Sequence, residues 1–163
     1  AAIDGGAEAG ARQALGAAAA RYGLSEPLPP DQIAAATAEQ IAGHCDAIPE
    51  ATAARMVEAQ RLRDAAFADA ALRARAYASD GRVVLIAGSG HARRDRAVPA
   101  KLRAADPGLD VATLALVEVA AAEDWRAYLG PDADAPPFDY LWFTARPARE
   151  DPCEAFLRGR AVP

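Results

Sequence analysis

The sequence predicts an α/β fold in which a mostly parallel sheet is packed by helices, and three observations carry that expectation. The first is a continuous apolar run at 82–88, Arg82-Val83-Val84-Leu85-Ile86-Ala87-Gly88, too short for a helix and bounded by glycines. Such a run reads as a strand buried on both faces. The second is an equally apolar run at 111–119, separated from the first by a short helical segment at 99–105 that Pro99 opens and Asp106-Pro107-Gly108 closes. Strand, crossover helix and strand form a unit whose two strands run parallel. The third is a long helical segment at 49–77, with Pro49 as its first residue, where a missing N–H would go unpaired in any case. An aromatic-rich run at 138–144 adds a third strand of undetermined direction.

The remaining elements follow in chain order. An alanine-rich helix spans 11–22 and stops at Gly23, a natural helix C-cap. A proline-punctuated connector leads to a second helix at 31–43, with Ile33, Ala34, Thr37 and Ile41 on its inner side. On the long helix, Ala53, Met56, Phe67, Ala70 and Ala71 share one stripe at a 3.6-residue period, and Gln60, Arg63 and Asp64 interrupt it. Arg55, Glu58 and Arg61 point elsewhere. Trp125 sits in a helical turn, and a last turn of helix falls at 154–157.

At 163 residues the chain forms one domain, and its 52% hydrophobic and 25% charged residues place it among globular chains. The formal charge of -5 argues against a nucleic-acid partner, which needs a basic face. No apolar run approaches the ~18 residues of a membrane span. Cys45 and Cys153 are too few for a disulfide framework, so they form either one bridge or two buried thiols. The chain starts at Ala1 with no charged-then-apolar leader, which fits either a removed signal or a piece of something longer.

The chemistry gathers where the first strand ends. Gly88-Ser89-Gly90-His91 turns out of it, with glycines that tolerate positive φ and N–H groups suited to an anion-binding concavity. That is the end of an open α/β sheet where ligands sit. His91 can ligate a metal or haem iron, or shuttle a proton near neutral pH, and Arg93, Arg94 and Asp95 follow it. On the long helix, Arg63 and Asp64 either tie it to a loop as an ion pair or wall the site with Gln60, since polar groups on a core-facing stripe need partners. Several sites are excluded. The dinucleotide fingerprint fails because Arg93 stands at the third glycine. His44 has no partner at metal-binding spacing, and Ser89 lacks the glycine two residues before it that a nucleophile elbow requires.

Taken together the motifs resemble the ChaN-like haem-binding uptake family. They are His44-Cys45, the run from Met56 to Asp64, the run from Leu85 to Arg93 with Val98-Pro99, then Glu118-Val119, the run from Asp139 to Thr144, and Asp151-Pro152-Cys153-Glu154. The family falls in a wider group, with erythromycin-esterase-like and Tiki/TraB-like proteins, whose sites carry two Gly-x-x-His motifs. Gly88 to His91 is similar to the second. The first is not in this chain, so the resemblance implies the carboxyl-terminal portion of a larger domain, with a sheet edge left open.

The resemblance further implies a non-enzymatic protein of bacterial iron uptake, exported to the periplasm or outer membrane, with haem as cofactor and partner. Membrane anchoring would come only through a segment absent here, and a homo-oligomer is compatible with it. On this reading Gln60, Arg63, Asp64, Gly88, Gly90, His91 and Arg93 line a polar ligand pocket, with His91 as metal ligand and Arg93 and Arg94 available to propionates. The axial ligand stays open among His91, His44, Tyr77, Tyr128 and Tyr140. The rival reading is a metal-dependent hydrolase, with His91 as base or ligand, Asp64 orienting it and Arg63 as a clamp.

Overall fold

The computed structural model describes residues 6–120, 124–129 and 136–160. Among the described residues, six α-helices and a two-stranded parallel sheet make the α/β fold the sequence predicts, with helix dominating. Helix α1 (Gly6–Leu15) runs into a 3₁₀ segment, Gly16–Tyr22. The single helix expected at 11–22 is therefore broken, at a glycine with φ +57. Gly23 caps the 3₁₀ segment in the left-handed region, as its position suggests. Helix α2 (Pro30–Gly43) starts on a proline whose missing N–H costs nothing there. Helix α3 (Glu50–Tyr77) is the long helix, with Pro49 as N-cap instead of first residue.

Alanine sets how these helices meet. Ala7, Ala11, Ala19, Tyr22, Leu24, Ala65, Ala68 and Val98 form the buried core, and α3 packs against α1, α2 and α5 (Val98–Ala105). Small side chains let the backbones approach closely. The large Tyr22 fills the remaining space and donates its hydroxyl hydrogen bond to Asp69 at 2.9 Å. Burial is the largest influence raising the Tyr22 pKa, to about 12, followed by that bond.

The buried face of α3 is Ala53, Val57, Arg61, Asp64, Ala65 and Ala68, rotated by about one position from the expected stripe. Arg63 is exposed while Arg61 is buried, the reverse of the sequence reading. The reason lies in the partners. Arg61 donates to Glu58 at 3.0 Å and to the backbone carbonyls of Leu24 and Glu26, so it is the tie from helix to connector.

The sheet is smaller than the sequence implies. Strand β1 (Leu114–Val119) pairs in parallel with β2 (Tyr140–Ala145), Leu114 opposite Tyr140 and Val119 opposite Ala145. Thr113 and Asp139 clasp the start of this ladder, the Thr113 N–H and hydroxyl donating to Asp139 at 2.8 and 2.9 Å. Residues 82–88 have no regular secondary structure and join no ladder among the described residues, which corrects the expected central strand. The run instead lies across a groove from residues 109–114, with no strand between them, and leaves Val84 87% and Ile86 92% exposed. After β2, helix α6 (Pro152–Arg160) is held to the body through a disulfide from Cys153 to Cys45. Cys45 and Asp46, just past α2, both adopt positive φ.

Candidate functional site

Helix α3 presents Gln60, Asp64 and Phe67 on one face, since positions i, i+4 and i+7 line up along a helix. The one-turn helix α4 (Ser89–Ala92) lays His91 against them. Nδ1 of His91 lies 2.6 Å from Oδ1 of Asp64, and the Gln60 amide nitrogen is 3.3 Å from the same ring nitrogen. The Phe67 ring meets the imidazole edge-on, with centroids 5.1 Å apart.

Asp64 and His91 are unequal in exposure, their side chains being 3% and 14% exposed. Burial pushes the Asp64 carboxyl up to about 6, against the opposing pull of His91, Lys101 and Arg63. Lys101, on α5, is buried beside them. Burial is the main influence bringing its ammonium down to about 8, and Arg61 adds to it, while Asp64 and Glu58 oppose the shift. With Asp64 ionised, Nδ1 carries the proton and donates. Nε2 then becomes the basic, ligating nitrogen, and it has no hydrogen-bond partner among the described residues.

Two spaces flank this pair. His91 lines a groove of about 640 Å³ whose walls are mainly aliphatic, including Val83, Leu85, Val98, Leu102 and Val111, with Arg75 and Arg82 also along it. Behind Asp64 lies a cavity of about 50 Å³, bounded largely by polar side chains. A third, open cleft of about 1110 Å³ lies along β1 and takes in Ser89, Gly90 and Arg93 but not His91.

The expected site residues divide. Gln60, Asp64 and His91 converge. Gly90 belongs with them for a different reason from the one its sequence suggests. Neither Gly88, at φ -61, nor Gly90 uses positive φ. A Cβ on Gly90 would sit 3.3 Å from the Gln60 amide, so the residue lets α4 approach α3. Gly88 is the N-cap of α4. Arg63 is exposed on α3 and outside the cluster.

Arg93 is bound to Asp95 at 2.8 Å and faces Glu39 at 3.4 Å, while Arg94 pairs with Asp139 at 3.2 Å. Neither arginine is a ready anion donor as it stands. Burial would raise Asp95, but the hydrogen bonds and charge of Arg93, with Arg96, hold it below the usual carboxylate range. His44 is engaged at 2.7 Å with the Gln40 carbonyl. Tyr77 and Tyr140 are exposed, and the Tyr128 hydroxyl accepts from Arg146 at 3.1 Å.

Sequence reasoning passed over Arg61, Phe67 and Lys101 as site residues. Phe67 was readable, lying three residues beyond Asp64 on the same face. Lys101 offered one signal, that it is the chain's sole lysine.

An imidazole fixed by a buried carboxylate, above a groove, is the kind of site built for ligation or proton transfer. Comparison with known families places the chain in the Tiki superfamily. It belongs to the family described as haem-binding uptake, ChaN, whose profile matches residues 5–102. The match runs from the start of α1 into α5 and includes Gln60, Asp64 and His91. The motifs at 118–119, 139–144 and 151–154 lie beyond it. No curated protein and no solved structure matches the chain.

Proposed function

We propose that this chain binds haem for bacterial iron uptake, with Nε2 of His91 as the protein's ligand to iron. The observation that carries the reading is the His91–Asp64 contact. It occupies Nδ1 at 2.6 Å and leaves the other nitrogen on a ring that lines the aliphatic groove. A carboxylate behind a ligating histidine fixes its tautomer and raises its basicity. Within described residues no three His, Cys, Asp or Glu side chains gather into a metal-holding cluster. That donor set suits haem, which brings four nitrogens of its own and needs one protein ligand.

The groove volume of about 640 Å³ falls within the roughly 300–1,000 Å³ of small-molecule sites. Its aliphatic walls suit a porphyrin face. Arg75 and Arg82 line the groove and supply positive charge for propionates, each held by a longer ion pair than Arg93 or Arg94, to Asp106 at 3.7 Å and to Asp80 at 3.9 Å. Bound haem would supply an iron centre for transport. The chain's part is to hold it, orient the imidazole and keep Nδ1 protonated. Export to the periplasm or outer membrane fits this role and is supported by the disulfide, which persists in oxidising compartments. No described helix is long and apolar enough to cross a membrane. The run 82–88, which joins no sheet among the described residues, and the exposed Val84 and Ile86 support a further reading. On it the chain is the carboxyl-terminal portion of a larger domain that covers this run.

Haem titration into the purified chain tests the proposal. A saturable Soret shift is expected, lost in His91→Ala and weakened in Asp64→Asn. An unshifted band, or one that survives His91→Ala unchanged, would refute it. The Asp64–His91 contact also favours a second reading, a hydrolase using His91 as base. Arg63 cannot act as its clamp from an exposed position outside the cluster. Ester hydrolysis abolished by His91→Ala would support that reading, and no turnover would remove it.

A further inference from the structure

The disulfide joins a strained turn to an exposed strap. Helix α2 closes with the Cys45 N–H donating to the Ala42 carbonyl and the Asp46 N–H to the Ile41 carbonyl, both at 3.0 Å. This is a common helix ending, and its left-handed position is usually a glycine, because a Cβ there crowds the backbone. Here Cys45 takes that position at φ +57, and Asp46 follows at φ +55. Residues with a side chain persist in this region only where the surroundings hold them, and they gather at clamps and switches. The bond that fixes Cys45 from outside its own turn runs to Cys153, 108 residues along the chain.

At the far end of that bond, little covers the chain. From Pro152 to Gly159 every residue of α6 is exposed except Cys153, which like Cys45 is half-buried and within reach of a soluble thiol. Arg158 pairs with Glu150 and Glu154, inside the same segment. Arg149 reaches out of it to Glu118 on β1 at 2.6 Å, with side chains 55% and 38% exposed, a pairing that water weakens. The segment also walls the open cleft along β1. Arg149, Glu150, Asp151 and Pro152 line that cleft together with Glu39 of α2 and Ser89 of α4. It takes in Glu118 and Thr144, near the carboxyl ends of β1 and β2, the end of a parallel sheet where ligands sit.

We propose that the Cys45–Cys153 bridge is a reducible latch: when a dithiol opens it, the strap at 146–160 leaves the end of α2 and the cleft along β1 opens. The first thiol of the reductant gives up its proton and attacks one sulfur of the bridge. The S–S bond breaks, a mixed disulfide forms, and the other cysteine leaves as a thiolate that takes up a proton. The second thiol of the reductant then loses its proton and attacks the mixed disulfide, and the remaining cysteine leaves and is protonated in turn. Two electrons pass from the dithiol, which ends as a disulfide, to Cys45 and Cys153, which end as thiols. Opening the bond also lets Cys45 leave the left-handed region, which favours release. The latch is independent of the haem reading, which concerns the groove beside His91, and the chain alone suffices to test it.

Hydrogen exchange of the wild-type chain, oxidised and then treated with dithiothreitol, tests it. On reduction the amides of 153–160 should reach the rate of an unstructured peptide, about tenfold or more faster than in the oxidised protein, while those of α3 remain protected. Fluorescence of an anilinonaphthalene dye should rise in step, since the cleft walls include Leu116, Phe138 and Leu141. Both changes should reverse on reoxidation. The double variant Cys45→Ser with Cys153→Ser should match the reduced protein without any dithiol and ignore its addition. Unchanged exchange at 153–160, dye fluorescence that does not rise, or a bridge that dithiothreitol leaves intact in the folded protein overturns the proposal. So does a response of the variant to dithiothreitol, which would trace the effect elsewhere. Loss of protection in α3 as well, or a variant that does not fold, would make the bond a staple of the whole fold and sink the latch.

Discussion

Replacing Asp64 by Asn should change how stability depends on pH, in a direction unusual for a carboxylate. Burial raises the folded-state pKa of Asp64 from 3.8 to about 6. The folded protein therefore holds this proton more tightly than the unfolded chain does. The contribution favours folding fully below the unfolded value near 4 and is lost as pH rises to about 6. A shift of roughly two units corresponds to about 3 kcal/mol at 1.36 kcal/mol per unit. Asp95 and Asp139 carry lowered pKa values, so their contributions run the other way and are lost as pH falls. The wild-type curve alone therefore mixes the signs.

The difference between wild type and Asp64→Asn isolates the Asp64–His91 pair from the other carboxylates. Urea unfolding of both proteins at intervals from pH 3.5 to 7.5 gives that difference. Relative to Asp64→Asn, the wild type should lose about 3 kcal/mol across this range, most of it between pH 4 and 6. A difference flat in pH would refute the reasoning. So would one of opposite sign, which would mean that the ion pair with His91 outweighs desolvation.

Three further outcomes follow from the same packing. Arg61→Met should destabilise the chain by about 3–5 kcal/mol in urea melts, because Glu58 and two connector carbonyls lose a buried partner. A cost under about 1 kcal/mol would mean that water replaces the guanidinium there. Val84→Lys and Ile86→Lys should each change stability by less than about 0.5 kcal/mol in this chain, since both side chains stand almost wholly in solvent. A larger loss in thermal or urea unfolding would show that other structure covers them. The paired change Cys45→Ser with Cys153→Ser should cost up to about 5 kcal/mol, because the bridge closes a separation of 108 residues. Wild-type stability that does not respond to a thiol reductant would show that the bridge does not hold the fold.

Much of this molecule is legible in its sequence. Local signals placed α2, α3 and α5 within a residue or two of their observed bounds, because proline, glycine and alanine act on the backbone where they stand. The same signals put Gln60, Asp64 and His91 in one site, since a face of a helix and the end of an apolar run are both local patterns. The choice between Arg61 and Arg63 was not local. Periodicity gave Arg63 to the core, but only the Leu24 and Glu26 carbonyls, 35 and 37 residues away along the chain, make Arg61 the arginine that can be buried.

The strand at 82–88 shows the same division. Its residues read as a strand, yet a strand becomes part of a sheet only when another backbone pairs with it, and none of the described residues does. Gly90 is the smallest case. A glycine suggested a turn, and the fold uses it for close approach, since a Cβ there would press on the Gln60 amide of α3 at 3.3 Å. The sequence by itself determined where the chain would coil or extend and which residues carry reactive groups. Tertiary structure decided which of those groups lose their water, because desolvation depends on what distant segments bring against them.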